Sequence, residues 1–410
     1  MPRRAALAAL AVIVGVVAGC GGSSTPKPAA PSRTQATTPA LTMPAPPPPL
    51  VLGVTERNPH LLAPGDAPAR FALWRDRLAA LHLRYLRVLV DWAKVQPRPG
   101  VPPDWTLPDD GCLRGRPPCA PFAGIHAELQ SAHAAGLDVV FVFLDTPAWA
   151  ASPPSGCERP GTPPGARMPA DLGAYRSLVG SLAAEARADG IATAWWSAWN
   201  EPNHPAFLSP QRATCDRSAP SVAADSYARL VSAMRAELAK VPGGQRVVLG
   251  ETAAISRPSP HATGAREFAA ALPAEVVCGT GVWAQHAYVE APGPLGNVAE
   301  RGAPGSEPLL HAVEGGLASH GCPGPPPQLW ITETGVAPKT GARGCRAMAD
   351  ALRTWADDPR VDAAFQYTFR DDSAFEVGLA DPSLHELHPA YAAWRAWAQG
   401  TPPASAPCAT

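Results

Sequence analysis

The chain has 410 residues, with 34 Lys and Arg against 35 Asp and Glu, for a formal charge of −1. That balance offers no basic patch and argues against a nucleic-acid partner. Lys is scarce beside Arg, Ala and Pro, and this bias carries no functional signal.

The first residues read as an export signal. Arg3 and Arg4 supply a positive start, and the apolar stretch 5–17 suits a signal-peptide core but is too short for a stable membrane span. It closes in Val17-Ala18-Gly19-Cys20, which resembles the bacterial lipobox, whose Cys receives a diacylglyceryl group. The resemblance implies a lipoprotein signal peptide over 1–20, lipidation at Cys20, and a place at the outer face of the cytoplasmic membrane or cell envelope. An ordinary cleaved signal with a chance Cys is the alternative. Residues 21–49 are Gly, Ser, Thr, Ala and Pro, ending in Pro46-Pro47-Pro48-Pro49. They cannot bury a core and are read as an extended spacer.

From residue 50 the pattern changes. Strand-like apolar runs fall at 51–55, 85–90, 139–144, 194–199, 246–250, 281–287, 328–332 and 363–368. Helical spacing of apolar residues marks 70–81, 122–135, 171–189, 221–240 and 344–357. Near-continuous apolar strands alternating with helices predict a single α/β domain over 50–397, a closed (β/α)8 TIM barrel, with a short tail over 398–410. A doubly wound open sheet is the runner-up, but it often carries a Gly-rich phosphate loop after its first strand, and none is seen. Long loops at 96–121, 149–168, 203–220 and 253–266 follow strands, where a barrel builds its working face. Setting Cys20 aside leaves eight cysteines, an even number that in an exported protein favours disulfides. Cys112 with Cys119, Cys157 with Cys215, Cys278 with Cys322, and Cys345 with Cys408 are the expected pairs. No Cys-x-x-Cys or paired-His spacing supports zinc.

Two glutamates stand at strand ends. Glu201 lies in Trp-Trp-Ser-Ala-Trp-Asn-Glu-Pro-Asn, residues 195–203, and Glu333 in Leu-Trp-Ile-Thr-Glu-Thr-Gly, residues 329–335. Counted along the chain, they follow strands four and seven. Two carboxyl groups across a barrel mouth are the minimum machinery for glycoside hydrolysis: one protonates the leaving oxygen and the other attacks the sugar or activates water. A helix-starting Glu beside Pro is the plainer reading of Glu201. The Trp-rich run before it makes the motif far more specific.

On these residues the chain from about 50 to 397 resembles the clan A glycoside hydrolases, near families 5 and 39. The resemblance implies that Glu201 is the acid/base and Glu333 the nucleophile of a retaining, double-displacement glycosidase acting on β-linked sugars. It implies that Asn200 bonds the sugar 2-hydroxyl. Arg87 in Leu-Arg-Val-Leu matches the strand-two arginine that contacts the nucleophile, and His286-Ala287-Tyr288 matches the strand-six pair. Thr146-Pro147-Ala148-Trp149 resembles a family 39-like segment that would make Trp149 a sugar platform, although a loop anchor is equally consistent. Many clan members end strand eight in Trp; here the segment reads Phe365-Gln366-Tyr367-Thr368-Phe369, which leaves Phe369 as the substitute aromatic and the sugar preference open. Trp195, Trp196 and Trp199 are expected to wall the acid. Glu251 ends strand five and takes a binding or structural role; Glu56, Asn58, Asp91 and Trp92 face the same rim, with Trp92 expected to line a subsite. Arg370, Asp371 and Asp372 form either an ion-pair cluster or a sugar contact.

The expected protein is thus a monomeric glycosidase whose partners are a carbohydrate polymer or oligomer and, through Cys20, a membrane. No metal or organic cofactor is called for. A binding lipoprotein without turnover and a transglycosylase of envelope glycans are the alternatives.

Overall fold

The computed structural model describes residues 50–62, 68–113, 115–255, 258–289, 307–372, 375–400 and Cys408. The expected signal peptide over 1–20 with Cys20, the expected linker over 21–49 and most of the tail over 398–410 lie outside the described residues. Among the described residues no helix is long and apolar enough to cross a membrane.

Eight strands form one closed parallel barrel in chain order. They are β1 (Val51–Thr55), β2 (Tyr85–Asp91), β3 (Asp138–Leu144), β4 (Trp195–Ser197), β5 (Arg246–Thr252), β6 (Val282–His286), β7 (Gln328–Thr334) and β8 (Val361–Tyr367). β8 closes on β1 with Leu52 opposite Ala364. One longer helix follows each strand: α1 (Ala72–Ala79), α2 (Gly124–Ala135), α3 (Leu172–Ala188), α4 (Val222–Leu238), α5 (Ala265–Ala271), α6 (Glu307–Ala318), α7 (Gly341–Asp357) and α8 (Ala390–Ala398). The barrel expected from the sequence is the one observed. Helices α5 and α6 fall where a helix is expected between strands, though without expected bounds, and α8 after the last strand had no expectation; α5 and α8 are short, and short helices show little periodicity.

Local chemistry explains the helix boundaries. The Asp171 carboxylate accepts from the Gly173 amide and caps α3. Gly136, at φ 68°, ends α2 in the left-handed conformation that glycine adopts without strain. In α7, Cys345, Met348, Ala349, Leu352 and Trp355 recur at helical spacing and are all buried against the barrel.

Strand alternation divides the core into two. Val140, Val142, Val248, Val282, Ala284, Trp330, Ala363 and Phe365 fill the barrel interior, with Tyr85, Leu89 and Trp195 packed against them. Their neighbours on the opposite face, such as Phe141, Phe143 and Trp196, pack under the helices. Gly53 faces the Phe365 ring so closely that a Cβ there would lie 2.4 Å from Cδ1. The interior accepts a large ring on β8 because β1 offers none.

The eight described cysteines form the four expected disulfides. Cys157–Cys215 joins the loops after β3 and β4, and Cys112–Cys119 closes a hairpin in the loop after β2.

Candidate active site

Above the apolar floor, the strand ends turn charged groups into the barrel mouth. Alternation from Tyr85 carries Arg87 inward on β2, where it is 1% exposed. The same rule carries His286 inward on β6 after Val282 and Ala284. It does not deliver Glu333, because Trp330 already points inward and Glu333 is three residues on. Register irregularities do so: β7 slips against β8 between Ile331 and Thr334, and against β6 between Gln285 and His286, leaving His286 opposite Glu333. β5 slips likewise between Gly250 and Thr252, around Glu251 at φ 52°. Glu201 has φ 39°, and its amide donates to the Glu251 carbonyl at 2.9 Å. Both glutamates thus sit in the sparsely populated left-handed region, which places their side chains where straight strands could not.

These groups meet in one buried network. Arg87 donates from Nη1 to Glu333 Oε1 at 2.6 Å, and from Nη2 to Glu251 Oε2 at 2.7 Å and Asn200 Oδ1 at 2.8 Å. Tyr288 donates its hydroxyl to Glu333 Oε2 at 2.5 Å. His286 Nδ1 lies 2.8 Å from Glu201 Oε1 and 3.3 Å from Glu333 Oε2, while its Nε2 lies 2.9 Å from Glu251 Oε2. Carboxylate oxygens of Glu201 and Glu333 come within 4.8 Å of each other. Glu201 Oε2 is buried and has no hydrogen-bond partner.

The electrostatics follow from these contacts. Burial opposes charge on His286, but the Glu333 carboxylate and the bonds to Glu201 and Glu251 outweigh it and push the imidazole up to about 10. Both ring nitrogens face carboxylates, as an imidazolium requires. Burial alone would raise Glu251; the Arg87 and His286 charges reverse that and hold it below the usual carboxylate range. Burial, then the Glu333 charge, raises the Tyr288 hydroxyl well above the usual phenol value, so it stays a donor. Glu201, His286 and Glu333 also have donor atoms close enough to hold a metal ion, as do His126, Glu185 and Asp189 on the outer face of α2 and α3. In each group the His Nδ1 already lies within hydrogen-bond distance of its carboxylates, so these contacts account for the close approach without an ion.

The structure therefore brings together Glu201, Glu333, Asn200, Arg87, His286 and Tyr288. Three expectations require correction. Trp92 is fully buried on the helix side, edge-on to Trp149 and near Tyr175, and its indole donates to Gln96. It begins the turn after β2, out of step with the inward residues Tyr85, Arg87 and Leu89, so no sugar reaches it as placed. Phe369 is also fully buried, against Trp74 and Tyr391. β8 ends at Tyr367 and the chain turns outward, so Tyr367 is the aromatic of this segment left at the mouth, beside Tyr288 and Phe375. Trp196 and Trp199 pack outside the barrel and Trp195 lies beneath the mouth against Trp330, so they do not wall Glu201. Trp149 is partly exposed, and its indole donates to the Gln96 carbonyl, a loop anchor.

Sequence reasoning passed over Tyr367, although alternation from Ala363 and Phe365 points it inward. Its ring lies 6.5 Å from Tyr288 and its hydroxyl donates to Asp372. It borders a cavity of about 290 Å³ at the rim of β1, β2 and β8, lined also by Thr55, Arg57, Asn58, Asp109 and Asp372. The Asn58 side-chain amide nitrogen there is buried and unpartnered. Arg370 donates to the carbonyls of Gly111, Arg116 and Pro118, pinning the disulfide hairpin as one wall. Glu56 and Asp91 bond backbone amides and Asp371 pairs with His388, so these acids are structural.

No family model matches the chain, and no curated protein matches it. Solved structures do. A subfamily 18 enzyme of glycoside hydrolase family 5 from Streptomyces cattleya, in complex with GlcNAc, aligns with a TM-score of 0.55 at 19% identity, covering 86% of this chain and 80% of its own. A subfamily 18 enzyme from Bifidobacterium longum subsp. infantis gives 0.52 at 17%, covering 86% and 79%. A family 39 glycoside hydrolase from Bacteroides cellulosilyticus WH2 gives 0.52 at 18%, covering 85% of this chain, which spans only 63% of that enzyme's length. At such identities the likeness is one of fold: the barrel is of the kind these enzymes use.

Proposed function

We propose that this protein is a retaining glycosidase that cleaves β-O-glycosidic bonds of an extracellular poly- or oligosaccharide. The observation that carries the reading is the approach of Glu201 and Glu333 to within 4.8 Å across the mouth. That approach suits the roughly 5–5.5 Å carboxyl separation of retaining enzymes better than the roughly 6.5–9.5 Å of inverting ones.

The surroundings suit divided roles. Arg87 and Tyr288 donate to both oxygens of Glu333, which aims it as a nucleophile must be aimed. Glu333 attacks the anomeric carbon while Glu201 protonates the departing oxygen; Glu201 then takes a proton from the water that breaks the glycosyl ester. Its unpartnered Oε2 is the oxygen placed for that proton. Asn200, held by Arg87, is positioned for a sugar hydroxyl, and the cavity beside Tyr367 offers space for the sugar on the side away from Glu201. Four disulfides and the Cys20 lipobox favour an exported, lipid-anchored enzyme.

A polysaccharide and aryl-glycoside digestion panel tests this, run on the wild type, Glu333→Ala and Glu201→Ala. Wild-type release of sugar, its loss in Glu333→Ala, and azide rescue of Glu333→Ala giving a glycosyl azide of inverted configuration are expected. Equal, zero release from all three proteins across the panel would favour a binding protein. Longer oligosaccharides in place of sugars would indicate transglycosylation.

A further inference from the structure

The mouth holds one more carboxylate than double displacement needs. Glu251 is fully buried, forms no part of the gap between Glu201 and Glu333, and receives both cations: Arg87 at 2.7 Å and His286 at 2.9 Å on the same oxygen. We infer that Glu251 is a positioning residue whose fixed negative charge keeps the buried cluster electrically neutral in both half-reactions, so that Glu201 can hold its proton in the first and release it in the second. The inference rests on the glycosidase reading above.

The charge count is simple. Double displacement starts with Glu333 as a carboxylate and Glu201 carrying a proton; with Glu251 a carboxylate and Arg87 and His286 cations, the sum is zero. In glycosylation the Glu333 oxygen bonds the anomeric carbon, that carbon loses the leaving oxygen, and the Glu201 proton goes to that oxygen. Glu333 is now a neutral ester and Glu201 a carboxylate, so the sum is again zero. Deglycosylation reverses the assignment: water bonds the anomeric carbon, its proton returns to Glu201, and the ester bond breaks to restore the Glu333 carboxylate. Without Glu251 the cluster carries one positive charge in both states. A buried excess charge is costly, and its cheapest relief is early loss of the Glu201 proton.

The other groups facing the cluster do not substitute. Thr55 on β1 and Asn200 after β4 are neutral, and Tyr288, buried, and Tyr367, partly buried, are phenols raised above their ordinary range. His204, beside Glu201, is pushed down by burial and stays neutral.

The test is Glu251→Gln, which keeps shape and removes charge. On the phenyl β-glycoside of the sugar that the panel identifies, the basic limb of kcat/KM should move to lower pH by about one unit or more. With the 2,4-dinitrophenyl glycoside, whose leaving group departs without a proton, most of the rate loss should disappear. Equal losses on both glycosides with an unmoved limb would overturn the inference, since a merely structural Glu251 predicts that pattern. Nitrogen-15 NMR of the wild type gives a second measurement that needs no variant and no substrate. His286 should remain doubly protonated above pH 8, and a titration near pH 6.5 would equally overturn it. If Glu333→Ala keeps wild-type turnover, the glycosidase reading itself fails; loss of turnover there with no limb movement in Glu251→Gln removes only the Glu251 role.

Discussion

The barrel has two buried storeys built on different physics. The floor, with Trp330, Phe365, Tyr85 and Trp195, is held by shape and apolar burial; Tyr85 and Phe365 stack at 5.6 Å and Trp195 lies 4.6 Å from Trp330. The mouth, with Arg87, Glu201, Glu251, His286 and Glu333, is no better hydrated yet is built from acidic and basic side chains. A floor residue needs a partner of suitable size. A mouth residue needs a partner of opposite charge within hydrogen-bond reach, and the loss of one strands another in a medium that cannot solvate it. The floor should therefore carry stability with tolerance, and the mouth function without it.

Arg87→Met breaks that division at its most sensitive point. It leaves Glu251 and Glu333 with His286 as their one remaining cation among the described residues. We expect a loss of about 3–5 kcal/mol in denaturant-derived stability, together with loss of turnover. Survival of either would mean the mouth is wetter than its burial implies.

Phe365→Ala tests the floor. A cavity under the barrel should cost about 3–5 kcal/mol, while kcat of the protein that remains folded stays near wild type. A matching fall in kcat would show that the two storeys are mechanically coupled.

Gly53→Ala is the milder test of the floor. The added methyl runs into Phe365, and overpacking should cost about 1–3 kcal/mol by chemical unfolding. Combining it with Phe365→Leu should recover part of that loss.

The most local effect is a pH dependence confined to the mouth. The His286 pKa is raised in the folded state, so its contribution is fully present below the unfolded value of about 6.5. It is lost as pH rises through about 10. Thermal scans should show stability declining across that window, and His286→Gln should flatten the decline. An unchanged slope in the variant would assign the decline to other groups.

Legibility followed the same two storeys. Strand positions and their order were readable because β-branched and aromatic runs reflect strong, local constraints; the even cysteine number implied disulfides, but which distant cysteines pair was decided by the fold. Glu201 and Glu333 were readable because each follows such a run. The errors came where strands end. Trp92 and Phe369 were assigned to the mouth on proximity to strand tips, but the side a residue faces depends on whether the chain continues, slips or turns there. Tyr367 was available from alternation along β8. Glu251 could be found by sequence as a strand-end acid, but not as the shared partner of Arg87 and His286.

By itself, the sequence determined a barrel of eight parallel strands and two acidic residues at the ends of the fourth and seventh, since period-two burial and turn chemistry act over a few residues at a time. The tertiary structure alone decided which side chains enter the mouth. Slips in β5 and β7 and two left-handed glutamates set those directions, and contacts between strands far apart in the chain hold them in place.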